Sequence, residues 1–163
     1  MHYVIWKVGK HDWFGATKLN KVLWFADARA YTLTGHSITG ETYTRGEFGP
    51  VPQHILPVRS ELVREHAIKE TKEGKLTRLV ALIPAQPNWF TEKELQTIDW
   101  WVAHIDKDHT ANSISEQSHD YVWEIAKMGE ELPLYAYRVA RIQEPSESDL
   151  KRLKDRVKVL GLS

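Results

Sequence analysis

The chain has 163 residues, of which 42% are apolar and 27% charged, and it contains no cysteine. That length suits one domain able to bury its own core, and the missing thiols exclude disulfides, thiolate metal ligands and cysteine nucleophiles together. Lysine plus arginine and aspartate plus glutamate both number 22, so the bulk positive charge that draws a protein to nucleic acid is missing.

No apolar run reaches the roughly 18 residues a membrane helix needs, and MHYVIWKVGKHDW lacks the layout of a signal peptide. A cytoplasmic protein is expected. In chain order, residues 1–9 read as a short helix, and Gly9 and Gly15 bracket a turn. Leu19, Val22, Leu23, Ala26, Ala30 and Leu33 recur at helical steps and predict a helix over 17–34 with one buried face. Thr17 is the expected cap at its start and Gly35 the stop. Residues 36–48 read as an irregular loop or short hairpin. Gly49-Pro50-Val51-Pro52 reads as a rigid corner, with Pro52 opening the next helix. Pro57 lies inside that helix, where an interior proline costs roughly 3 kcal/mol. The helix is therefore expected to kink there or to start properly at Pro57.

AIKETK and LTRLVALI flank Glu73-Gly74 and predict a hairpin over 67–83. Thr91 and Glu94 form a capping box for a helix to about Asp108, with Leu95, Ile98, Trp101, Val102 and Ile105 inward. Ser113 and Glu116 have the same spacing and predict a helix over 114–128, lined in part by Tyr121, Val122, Ile125 and Met128. Residues 132–140 fit a short helix or a strand, with Pro133 at the start slightly favouring the helix, and Leu150, Leu153, Val157 and Leu160 predict a last helix over 147–160. The fold class expected is mainly α (α+β): a compact single-domain helical bundle, 1–163, with a small hairpin.

Signatures of chemistry are sparse. Phosphate-binding glycine loops and GxSxG are absent. His104 and His109 are five apart, a spacing that turns a helix about 140° past one full turn, so they diverge unless the helix ends between them. His109 and His119 suit structural hydrogen bonds near helix ends. Asp27, set in an apolar helix, needs a base or donors to satisfy it. An enzyme built on Asp27, His109 and His119 would require the three to converge in an open pocket. No catalytic residue, metal or cofactor is expected.

Two blocks carry a resemblance. TKLNKVLWFADARAY followed by ITGETYTRGEFGPVP, and then HTANSISEQSHDYVW at 109–123, resemble the Panacea domain of SocA-like antitoxins. The matching positions are Lys18, Leu19, Lys21, Leu23, Asp27, Gly35, Gly40, Tyr43, Gly49, Pro50, Val51 and Pro52, then His109, Thr110, Ser113, Ile114, Ser115, His119 and Trp123. The resemblance covers about 3–140. It implies an antitoxin that neutralises a cognate protein toxin by direct binding. It also leaves open a proteolytic adaptor, working with a cellular protease, or a phage or prophage accessory protein. Most matching residues are expected to hold the scaffold, with Ser113 as a cap and 109–123 docked on the first block. Partner recognition then falls to the loop 36–48 or to the acidic helices. Residues 91–131 hold ten acids and three lysines, against five positive residues and one acid in 151–158. Candidate contacts are Glu92, Glu94, Trp100, Trp101, Asp120 and Glu124; only one of the adjacent tryptophans can face the core.

Overall fold

The computed structural model describes residues 1–9, 11, 14–74 and 76–140. The expected helix 147–160 lies outside them. The described residues form seven helices and two separate antiparallel hairpins, in the order α1 (His2–Val8), α2 (Ala16–Thr34), β1 (Tyr43–Gly46), β2 (Gly49–Pro52), α3 (Ile55–Arg64), β3 (Ile68–Glu73), β4 (Leu76–Ala81), α4 (Glu92–Asp108), α5 (Ala111–Gln117), α6 (Tyr121–Ile125) and α7 (Leu134–Ala140). This is the mainly helical α+β class, with the expected hairpin at β3–β4.

α2 is the axis of the molecule. It packs against α4, α5, α7, β2 and β4. Its middle, Lys21 to Ala28, is buried on every side, whereas Leu33 is 62% exposed. The single apolar stripe expected from sequence is therefore corrected: a helix enclosed all round needs no polar face. Phe25 stacks on Trp101 at 4.7 Å, and Trp24 meets Tyr43 edge-on at 5.0 Å. Such pairs add about 0.5–1.5 kcal/mol beyond area burial. Gly15, not Thr17, caps α2, without a side-chain bond. A methyl group at Gly15 would strike Leu76, so the close approach of β4 decides that position. Gly35 ends the helix in the left-handed conformation, as expected.

The Gly-Pro segment is a strand rather than a corner. Tyr43 pairs with Pro52 and Gly46 with Gly49. Gln53 N–H donates to the Thr42 carbonyl, so residues 49, 51 and 53 point their amides at β1. Prolines at 50 and 52 fall at the alternate positions, where no ladder bond is lost. The other edge of β1 is also paired: Arg45 N–H donates to Glu130, Gly129 N–H to Arg45, and Leu132 N–H to Tyr43. The helix expected from Pro52 begins at Ile55. Pro57 is its third residue, among the first four whose N–H groups have no helical partner, so it neither kinks nor delays the helix.

The helix expected over 114–128 is two short ones. Thr110 and Ser113 form the capping box of α5, and Asp120 caps α6 by accepting the Trp123 N–H. Ser113 is thus the reciprocal partner in that box and not the cap. The Thr91–Glu94 box of α4 is present as read.

Candidate functional site

Two lysines one turn apart on α2, Lys18 and Lys21, are buried, Lys21 to 1% exposure. The Lys21 ammonium reaches the Pro50 carbonyl at 3.4 Å. Burial alone lowers its pKa to about 7. The hairpin closes over it at Gly49, whose φ of 100° favours glycine and whose added methyl would collide with Lys21 Nζ and Ser118 Oγ. Ser118, the C-cap of α5, donates its hydroxyl to the Ser115 carbonyl at 2.7 Å.

His119 follows, its ring stacked on Trp123 at 3.6 Å and 5°. The Trp123 indole N–H donates to the Gly46 carbonyl at 3.2 Å, and the Arg45 guanidinium stands 4.3 Å from the Trp123 ring centre. Burial, then the charges of Lys21 and Arg45, hold the His119 pKa below its ordinary value. Among the described residues, His119 Nε2 and Arg45 Nε are buried without a hydrogen-bond partner. The junction of α2, the β1–β2 hairpin and α5–α6 is thus a cationic knot. Lys21, Gly49, Pro50, His119 and Trp123 are singled out by sequence. Arg45 and Ser118 are not: each sits beside a singled-out residue, and only the strand parity and the end of α5 turn it inward.

A second knot lies at Asp27, which is fully buried. One carboxylate oxygen accepts the N–H groups of Ile38 and Thr39, at 2.9 and 3.0 Å; the other accepts the Thr39 hydroxyl and, at 2.7 Å, the Tyr43 hydroxyl. Burial first, then the Asp27 charge, raises the Tyr43 pKa well above that of a free phenol, which keeps it a donor. Asp27 thereby ties the loop 35–42 and β1 to α2.

The third group surrounds the end of α4. His109 is the C-cap, so the helix does end between the two histidines, and the His104 and His109 rings lie 5.0 Å apart. His109 Nδ1 meets Ser113 Oγ at 3.2 Å, and Lys18 donates to the Asp106 carbonyl at 3.4 Å. Burial, then His104, lowers the His109 pKa.

Asp27, His109 and His119 therefore occupy three different surroundings and are not brought together. None of them lines the cleft of about 270 Å³ between α2, the β1–β2 hairpin and α3. Among the described residues no group of three or more His, Asp or Glu is arranged to hold a metal ion. No helix among the described residues is long and apolar enough to cross a membrane.

The acidic and aromatic candidates are scattered. Glu94 closes the α4 capping box, Glu92 accepts from Gln96, and Asp120 caps α6. Glu124 is exposed. Trp101, at 7% exposure, is core and no surface contact; its neighbour Trp100, at 57%, is the outward one and stacks on His104 at 4.8 Å.

The two resembling blocks thus meet: α2 and the hairpin come from the first, α5 and α6 from the second, and Lys21, Gly49, Ser118 and Trp123 lie where they join. Comparison with curated proteins and with solved structures returned no match. The family described as Antitoxin SocA-like, Panacea domain, matches residues 19–124, a stretch that runs from the first buried turn of α2 into α6 and covers well over half of the chain, which therefore belongs to that family.

Proposed function

We propose that this protein is the antitoxin of a toxin–antitoxin pair and neutralises a protein toxin by binding it directly. The observation that carries the reading is the family match over residues 19–124. The use the fold makes of the family positions supports a binding module: Asp27, Lys21, Gly49, His119 and Trp123 are engaged in holding α2, the hairpin and α5–α6 together. A scaffold fixed in this way leaves recognition to its outer surface.

The test is co-expression with the product of the gene encoded beside it. That product alone should arrest growth, and this chain should restore growth and co-purify with it. Absence of toxicity, or toxicity that this chain does not relieve, would remove the proposal.

A further inference from the structure

We infer that the outward side of α6, with the tip of the β1–β2 hairpin beside it, is the docking surface for the toxin, and that it takes a cationic segment with an apolar face. The inference rests on the antitoxin reading. Residues that the apolar pattern would bury are exposed here: Tyr121 and Ile125, one turn apart on α6, and Met128 just after it, at 67%, 63% and 63%. The inward side of the same short helix is occupied by Val122, Trp123 and Ala126, which pack on the core. α6 is therefore apolar on both sides, and one of those sides is largely exposed. The Trp123 bond to the Gly46 carbonyl fixes the hairpin tip alongside, and exposed Phe48 sits at that tip.

Exposed large apolar side chains grouped at one place mark interaction surfaces. The charge around these decides the partner. Glu47, Glu116, Glu124 and Glu131, on and beside these elements, are exposed; Lys127 is the one lysine or arginine between residues 111 and 132, and half-buried Arg45 lies over the Trp123 ring. Such a rim repels phosphate backbones and anionic lipid headgroups and draws a basic polypeptide. α6 is also held in place before binding, by the Asp120 cap and by the Trp123 indole, so little ordering is left to oppose association.

The experiment uses the full chain and the affinity-tagged product of the adjacent gene, with binding kinetics, growth rescue, thermal melts and native mass measured for each variant. In Tyr121→Ser/Ile125→Ser, affinity should fall at least about tenfold, as for hot-spot side chains, with rescue impaired and melting unchanged. Glu116→Gln/Glu124→Gln should slow association and flatten its salt dependence, while Leu33→Ser, on an exposed position of α2, should change neither. If the double serine variant does not fold, Met128→Lys, in the turn after α6, replaces it and should weaken binding likewise. Wild-type binding with undiminished binding by these variants would overturn the surface while leaving the antitoxin reading intact. A wild-type dimer that Tyr121→Ser/Ile125→Ser converts to monomer would assign the face to a second copy and overturn the inference. A wild-type chain that neither binds nor rescues removes the antitoxin reading and the inference with it.

Discussion

Individual side chains show how much of the sequence signal belongs to the scaffold. Asp27 is fully buried and receives four hydrogen bonds. Asp27→Ala leaves the buried Tyr43 hydroxyl and the part-buried amides and hydroxyl of Ile38 and Thr39 without their acceptor, and a loss of about 1–3 kcal/mol is expected, measurable by urea denaturation. Lys21 gives a pH signature. Its folded pKa of about 7 lies below the ordinary lysine value of 10.5, so between those limits the unfolded chain binds more protons than the folded one. Stability from this group then rises with pH across the window, by up to about 1.4 kcal/mol per unit. Its burial penalty is fully present below about pH 7. Lys21→Met should flatten that rise and stabilise the protein at pH 6; an unchanged profile from melts across pH 6–10 would show that Lys21 is charged and satisfied. Composition could not announce a buried lysine, because lysines are nearly always exposed. Its surroundings come from a hairpin and a helix end far along the chain.

Elements were legible where local signals agreed and illegible where two readings shared one spacing. α4 combines the Thr91–Glu94 box with inward Ile98, Trp101, Val102 and Ile105, and it stands as read. At α5, Ser113 and Glu116 imitate a capping box, whereas the cap is Thr110, three residues earlier. Asp120 then restarts the chain as α6, a signal hidden inside what looked like one periodic run. Thr110→Ala should cost about 1 kcal/mol in chemical denaturation. Proline misled in a different way. At 50 and 52 it lies at non-bonding strand positions, and at 57 in the first turn of α3. Pro57→Ala should therefore change stability by less than about 0.5–1 kcal/mol, far below the roughly 3 kcal/mol of an interior proline. A change of the larger size would mean that α3 begins elsewhere.

Across the whole molecule, the fold class and the meeting of two distant blocks followed from their sequences, but the surface did not. Apolar periodicity places Tyr121, Ile125 and Met128 inside, and the fold turns them out because α6 is too short to hide both sides. The hairpin acts as the clamp between the halves. Gly49→Ala would force its closure apart at Lys21 and Ser118 and strain a φ of 100°, with an expected loss of about 2–4 kcal/mol. In a calorimetric scan that loss should appear as a single lowered transition, since α2 and α5–α6 are parts of one core.

The doubly occupied β1 has a consequence for behaviour at high concentration. Its far edge is taken by residues 129–132, so the remaining edge of this small sheet belongs to β2, whose Gly49, Pro50 and Pro52 are buried and which packs on α2. That edge presents Pro50 and Pro52, which have no amide hydrogens, and the Pro50 carbonyl already accepts from Lys21. A strand from another molecule finds nothing there to donate to it, and the sheet is guarded against the edge-to-edge growth that begins aggregation.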